Sequence, residues 1–587
     1  MEAGGRSGAQ HLPPRYSRSD VERRRRLVRR ALPAFVGVGL VALIVGLLVG
    51  GGAGDAERAT AQRFATLWAH GDYVRMYRLL DAPARARTSY SEFVDAYRDA
   101  AATSTMRTLV VGKVGDRKGG AIPVQLTVRT RVFGTIHRVL ELPVSGSGDG
   151  LQVAWRASAV FPGLRPGEQL TRQTSLPTRA TLLARDGSVL ARGDDRSSDE
   201  ADVSAEIAGT LAPPQPADAA ALRALGYPPD AKVGSSGLER IFQTQLAGTP
   251  GGTLSTGGRV LARTQPRPGQ PVRTTIDPGI ERAAIAALAG RYGGVAAMDP
   301  RTGEVLALAG VAFSALQPPG STFKIITLTG TLEAHLAKAS TSFPVSSAAY
   351  LSGVRLENAN GEECGGTLVD SFANSCNSVF APLGARLGAR RLVDVAQRFG
   401  FNQAPPIPGA ATSTIPSANA IGDDLAVGSS AIGQGMVQAT TLEMTTVAAT
   451  IAMGGLRPVP TLQVGRRPRF VRVTRPRVAA QVARMMRAVV AYGTGTAAAI
   501  AGADVAGKTG TAELANTVQP DDGSDDQQQQ QAADVPETDA WFVAFAPSRR
   551  PHIAVGALFP EAGAGGDVAA PAARGVLAAA LQHGPGD

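Results

Sequence analysis

The run Pro318-Pro319-Gly320-Ser321-Thr322-Phe323-Lys324 sets a hydroxyl and an amine three residues apart. Pro318, Pro319 and Gly320 end whatever precedes them, and the apolar run from Phe323 to Leu328 suits a helix beginning at Ser321. Residues i and i+3 share a helix face, so Ser321 lies beside Lys324 at the positive end of a helix dipole. A serine is a weak nucleophile until a base takes its proton, and a desolvated lysine near another cation can be that base. The chain has 60 basic residues, of which only six are Lys (113, 118, 232, 324, 338 and 508). Of these only Lys324 has a Ser three residues before it. A chain that otherwise uses Arg keeps Lys where it needs an amine able to lose its proton, which a guanidinium cannot do.

Two further runs carry polar groups of the same kind. Ser375-Cys376-Asn377 lies in a stretch, Ser371–Leu387, that reads as helical; its Ser can relay a proton and its Asn can orient an amide. In Gly507-Lys508-Thr509-Gly510-Thr511-Ala512-Glu513, Lys508 and Thr509 can hold a carboxylate, and Gly510 lets a substrate backbone approach. Gly502 to Thr509 also fits the phosphate-loop pattern G-x-x-x-x-G-K-[ST]. That rival, a P-loop NTPase, needs a helix after the lysine, whereas Gly510-Thr511 and an acidic run follow.

Ser-x-x-Lys, Ser-x-Asn and Lys-Thr-Gly, in that order, are the signature of penicillin-binding proteins and serine β-lactamases. The chain resembles a class B penicillin-binding protein, a monofunctional D,D-transpeptidase. Further matches are Ser236-Gly237-Leu238-Glu239 with Leu246–Gly251 ahead of the catalytic domain, Thr275-Ile276-Asp277-Pro278 as that domain's first strand, and Ala431–Gly435 as an internal loop. Residues 56–162 resemble the NTF2-like extension of the low-affinity members. The resemblance implies a multidomain α+β protein whose transpeptidase domain is an antiparallel sheet flanked by helices. It implies that Ser321 is acylated, with Lys324 as its base. Ser375 would shuttle a proton and Asn377 position the substrate amide. Lys508, Thr509 and Thr511 would hold a terminal carboxylate beside Gly510, and the Ser321 and Thr511 amides would form the oxyanion hole. The expected ligands are peptidoglycan stem peptides ending in D-Ala-D-Ala, and β-lactams. No cofactor is implied. A cell-wall glycosyltransferase of the shape or division machinery is an expected partner.

The rest of the chain sets the domain order. From Ala31 to Gly54 no residue is charged, enough helix at 1.5 Å per residue to cross a hydrocarbon core of about 30 Å. Arg23–Arg26, Arg29 and Arg30 stand immediately before it, so the positive-inside rule puts residues 1–30 in the cytoplasm and the rest outside. The expected organisation is a basic tail (1–30), a transmembrane signal anchor (31–54), the NTF2-like domain (56–162), a pedestal or dimerisation-like domain (163–271) and the transpeptidase domain (272–587). Within the last, the acidic, Gln-rich run 517–538 reads as a disordered loop; within the pedestal segment, Pro213–Asp230 reads as a loop or linker. The location expected is the cell membrane, single-pass, with an extracytoplasmic catalytic domain.

Composition excludes other classes. The net charge is +11, but the first 30 residues hold nine Arg against three acids, and aromatics make up 5%. No basic stripe interleaved with aromatics remains for nucleic acid. The six His fall at 11, 70, 137, 335, 552 and 583, without His-Glu-x-x-His or paired Cys-x-x-Cys, so no metal site is expected. Membrane-anchored serine β-lactamase and β-lactam sensor share the three motifs and are the nearer alternatives. Cys364 and Cys376, the only cysteines, bracket a short loop on the outside of the membrane, where thiols oxidise, and a disulfide is expected; two small buried residues are the alternative.

Overall fold

The computed structural model describes residues 53–513 and 538–582. Residues 31–52 of the expected anchor lie outside the described residues, as does all of the acidic run but Thr538. Among the described residues no helix is long and apolar enough to cross a membrane, and no group of His, Cys, Asp and Glu could hold a metal ion.

The chain divides into two compact units, and the segment 163–271 is shared between them. The first holds residues 53–176, 217–228 and 250–266. Its helices α1 (Ala53–Ala69) and α2 (Tyr90–Ser104) precede strands β1 (Met106–Val114), β2 (Ile122–Thr130) and β3 (Thr135–Leu142), paired antiparallel in that order. Ser89 and Glu92 close a capping box at the start of α2, satisfying backbone donors that a helix end leaves free. Along β2 the period-two pattern buries Ile122, Val124, Leu126 and Val128 on one face. They join Phe64, Phe93, Tyr97 and Trp155, with the Trp155 Nε1 donating to the Tyr97 hydroxyl at 3.1 Å. A second antiparallel sheet of residues 170–175, 251–256 and 259–264 adds Leu254 and Leu261 to this core. The run expected to be a linker is largely the helix Pro216–Leu225, because Ala219–Ala221 and the leucines around them favour helix over loop.

The second unit holds residues 177–216, 229–249 and 267 onward. In its first part Glu239 is buried between two guanidiniums, with Arg179 Nε at 2.5 Å and Arg196 on the other carboxylate oxygen. The catalytic sheet follows. Strands β4 (Gly294–Met298), β5 (Val305–Gly310), β6 (Ala506–Glu513), β7 (Thr538–Ala546) and β8 (Ile553–Phe559) run antiparallel in the order β5-β4-β8-β7-β6. Helices cover both faces, so β8 is apolar and buried at every position. On one face α3 (Pro278–Leu288) and the C-terminal α9 (Ala569–Gln582) pack Ile280, Ala284, Val576 and Leu577 against Val295, Phe542 and Val555. On the other, α4 (Lys324–Glu333), α5 (Leu368–Ala373), α6 (Asn377–Leu387), α7 (Thr441–Ala452) and α8 (Pro476–Ala491) bury Ile325, Leu328, Phe372, Phe380, Val447 and Met485 against Trp541, Val543 and Leu558. Thr275–Pro278, expected as a strand, instead leads into α3. Asp277 caps it by accepting from the Gly279 and Ile280 amides, and Pro278 presets the first helical turn.

Glu281, in the first turn of α3, is fully buried. Its Oε2 accepts from Leu308 N at 2.7 Å, and its Oε1 has no partner. Burial raises its pKa to about 8, against the Leu308 hydrogen bond and with help from the negative charge of Glu206. The folded acid is therefore neutral while the unfolded one ionises near 4.5, so this group takes stability away as pH rises from about 4.5 to 8. Glu281→Gln is expected to melt with the wild type at pH 5 and several degrees higher at pH 8. A difference that stays constant across that range would show that Glu281 does not titrate there.

Candidate active site

The sheet order leaves β6 at an edge. Its polar backbone can therefore receive an extended peptide as an added strand. The expected nucleophile stands against this edge. Ser321 lies on a 3₁₀ turn, Gly320–Phe323, and the α-helix begins at Lys324 rather than Ser321. Thr322 Oγ1 donates to the Pro319 carbonyl at 2.6 Å and holds the turn. In a 3₁₀ turn residues i and i+3 eclipse, which brings the two side chains closer in azimuth than an α-helix would. Gly320 has φ +50°, and a Cβ there would sit 2.8 Å from the Thr511 carbonyl oxygen. Only glycine lets the turn approach β6 so closely. Gly510 is restricted similarly, since its Cβ would lie 2.9 Å from the Pro319 carbonyl oxygen and 2.9 Å from the Trp541 Cβ.

Lys324 is fully buried, and its Nζ is the hub of the site. It donates to Ser321 Oγ at 2.9 Å, the Ser375 carbonyl at 2.6 Å and Asn377 Oδ1 at 2.6 Å, and lies 3.4 Å from Ser375 Oγ. Burial first, and the charge of Lys508 second, hold its pKa well below that of an ordinary lysine. Lys508, also fully buried, donates to Ser375 Oγ at 2.8 Å and to the Thr509 carbonyl at 3.0 Å. Burial lowers its pKa to about 7. Ser375 thus bridges the two amines, and a proton can pass from one to the other through its hydroxyl.

The stretch Ser371–Leu387 is not one helix. It breaks into α5 and α6, and between them Ser375 takes the left-handed conformation, with φ +61°. That backbone costs a non-glycine residue of the order of 1 kcal/mol, and it turns the Ser375 hydroxyl and carbonyl to the amines. Cys364 and Cys376 are joined in a disulfide with a Cα–Cα distance of 5.8 Å. Asn377 Nδ2 donates to the Glu357 carbonyl at 2.8 Å, which fixes its amide so that Oδ1 faces Lys324.

The structure gathers Ser321, Lys324, Ser375, Asn377, Lys508, Thr509, Gly510 and Thr511 at one place, where β6 meets the 3₁₀ turn and the break between α5 and α6. It also brings in residues without a motif. Thr494 Oγ1 lies 2.5 Å from Thr509 Oγ1, and its amide donates to the Ala373 carbonyl. Phe372 and Phe380 lie close to the amines, with Lys508 Nζ 5.5 Å from the first ring centre and Lys324 Nζ 5.8 Å from the second. Asn358, 3% exposed, receives the Ser378 amide. Nothing in the sequence singled these residues out, because each becomes relevant only when distant segments meet.

The same geometry removes the phosphate-loop reading. Gly507 to Thr509 lie within strand β6, which continues through Glu513 where a phosphate loop needs a helix, and the lysine amine is buried against Ser375. Chemically the site offers a serine nucleophile, a buried amine of strongly lowered pKa beside it, a second buried amine whose pKa is about 7, and a strand edge.

Residues 293–578 match the model of the penicillin binding protein transpeptidase domain, and residues 56–168 that of the NTF2-like N-terminal transpeptidase domain. The peptidoglycan D,D-transpeptidase PbpA of Mycolicibacterium smegmatis is 32% identical over 419 residues, spanning 60% of this chain and 80% of the relative. PbpA of Mycobacterium tuberculosis is 33% identical over 390 residues, spanning 54% and 74%. The crystal structure of the M. tuberculosis protein superposes with a TM-score of 0.54 at 28% identity, covering 69% of this chain and 99% of that one. Its penicillin G acyl-enzyme complex gives 0.54 at 28%, covering 69% and 100%. With the nucleophile, both amines and the strand edge gathered at one place, these matches place the chain in the family of class B penicillin-binding proteins that carry an NTF2-like domain ahead of the transpeptidase domain.

Proposed function

We propose that this protein is a peptidoglycan D,D-transpeptidase that works through an acyl-enzyme on Ser321. The observation that carries the reading is the contact of the buried Lys324 Nζ with Ser321 Oγ at 2.9 Å. Lys324 takes the Ser321 proton as the oxygen attacks the carbonyl carbon of the penultimate D-Ala of a stem peptide. The Ser321 and Thr511 amides hold the oxyanion. As the C–N bond breaks, the proton passes through Ser375 to the departing nitrogen, and terminal D-Ala leaves. An amine of a neighbouring stem then attacks the ester, gives up a proton by the same route, and frees Ser321. Lys508, with Thr509 and Thr511, holds the terminal carboxylate, and Asn377 positions the donor amide. In a β-lactam the broken amide stays tethered to the acyl group, so the ester outlives the attack.

The uncharged run 31–54 supports a single-pass anchor with the catalytic domain outside the cytoplasmic membrane. A cell-wall glycosyltransferase is the partner proposed, because a cross-linker needs newly made glycan strands bearing stem peptides. Fluorescent penicillin tests the activity. The wild type is expected to keep the label after free drug is removed, and Ser321→Ala to take none. Rapid loss of label by the wild type would identify a β-lactamase instead.

A further inference from the structure

The disulfide sits inside the catalytic constellation rather than at the periphery, since Cys376 separates Ser375 from Asn377. Three of the four groups around Lys324 Nζ belong to those two neighbours: the Ser375 carbonyl, Ser375 Oγ and Asn377 Oδ1. Cys376 is fully buried just ahead of α6, and its amide donates to the Ser371 carbonyl at 2.9 Å. Cys364 is only partly buried and opens the short strand Cys364–Thr367, which pairs with Ser342–Ser346. The bond therefore ties the break between α5 and α6 to a separate piece of β-structure.

Hydrogen bonds tie the break to a further strand, Val354–Glu357, and the residue after it. Glu357 accepts from Asn377 Nδ2 at 2.8 Å, and Asn358 Oδ1 accepts from the Ser378 amide at 2.8 Å. Asn358 Nδ2 in turn donates to the Ser346 carbonyl at 2.7 Å and the Glu362 carbonyl at 2.8 Å. The covalent tie and these bonds hold the same Ser375–Ser378 segment that the two lysines contact. Ser375 itself is in a left-handed conformation that a non-glycine residue keeps only when its surroundings impose it.

We propose that the Cys364–Cys376 disulfide is a positioning clamp for Ser375 and Asn377, so that its reduction slows acylation of Ser321 while the domain stays folded. This rests on the acyl-enzyme reading above. A dithiol of the dithiothreitol class supplies the chemistry. Its thiolate attacks the more accessible Cys364 sulfur, the S–S bond breaks, and Cys376 leaves as a thiolate that takes up a proton. The reductant's second thiol then releases Cys364, so two electrons and two protons end on the cysteines and the reductant leaves as a cyclic disulfide. The domain stays folded because Phe372, Cys376, Phe380 and the helices around them remain in one apolar core. What is lost is the restraint on a short, strained segment. The freed segment lets water reach Lys324, which moves its pKa back towards that of an ordinary lysine.

The test uses the full chain in three forms: oxidised, reduced with dithiothreitol and alkylated, and Cys364→Ser. Penicillin labelling is followed in time, so that the rate constant and the fraction labelled are read separately, over a series of pH values and below the thermal midpoint of each form. Reduction and Cys364→Ser are each expected to lower the rate constant at least tenfold at an unchanged labelled fraction, and to move the acidic limb of the pH–rate profile upward. Reduced but unalkylated wild type is expected to regain its rate on reoxidation, which Cys364→Ser cannot do. A rate within twofold of the oxidised enzyme, an acidic limb that stays in place, or a loss seen only in the labelled fraction would overturn the clamp. Labelling of the oxidised enzyme tests the acyl-enzyme reading separately, so failure of one is distinguishable from failure of the other.

Discussion

Lys324→Arg is expected to slow acylation of Ser321 by about 10³-fold, within the range that general-base catalysis contributes. The reason is the proton. Lys324 Nζ lies 2.9 Å from the Ser321 hydroxyl, and burial with the Lys508 charge lowers its pKa well below that of an ordinary lysine, so that it can shed its proton and take that of Ser321. A guanidinium holds its proton at any physiological pH and cannot be that base. If Lys324 were a structural cation, Arg would serve, as it does at most basic positions of this chain. The Arg variant is also expected to melt at a lower temperature, since the position is fully buried and Arg brings a larger group with a charge it cannot shed. Lys324→Gln separates the two effects. It is neutral and of similar length, so it should recover much of the stability and none of the acylation rate. Stopped-flow labelling with penicillin beside thermal melts measures both. Near-normal acylation in either variant would transfer the base's role to Ser375 or to a water.

The chemistry of this cleft was more legible in sequence than its construction. Ser321, Lys324, Ser375, Asn377 and Lys508 belong to short runs whose order has few uses other than acyl transfer, and local spacing carried that information. The hairpin of β4 and β5 is equally local, because its turn residues and apolar runs are adjacent in the chain. Three features were not. The helical pattern of Ser371–Leu387 hides the break at Ser375, since local propensity does not report a left-handed residue imposed by tertiary contacts. The helix at 216–225 was obscured by prolines at both ends of its run, one of which simply begins it. Thr494 and Asn358 act through partners 15 and 20 residues away, and no pattern within one segment marks them. The break at Ser375 matters most, because it sets both the bridge between the amines and the position of the disulfide.

Acylation by a carboxylate-bearing β-lactam is expected to rise and then fall with pH, with the falling limb near 7, and the two limbs belong to the two lysines. Lys324 must be neutral to act, so the rate climbs as it loses its proton on the acidic side. Lys508 must be charged to hold a carboxylate, and burial lowers its pKa to about 7. The sign follows from its being a base with a depressed pKa: above about 7 the free enzyme carries a mostly neutral Lys508, and its attraction for an anion fades. The second-order rate constant should then drop about tenfold per pH unit well above the limb. Because Ser375 Oγ touches both amines, the observed values belong to the pair. Position still separates the two roles, since it is Lys324 Nζ that touches Ser321 Oγ. Benzylpenicillin and its methyl ester separate the limbs. The ester lacks the anion, so it should react more slowly at pH 6 and lose the falling limb while keeping the rising one. A falling limb that persists with the ester would show that the group titrating near 7 serves proton transfer rather than carboxylate binding, and the role assigned to Lys508 would pass to Thr509 and Thr511.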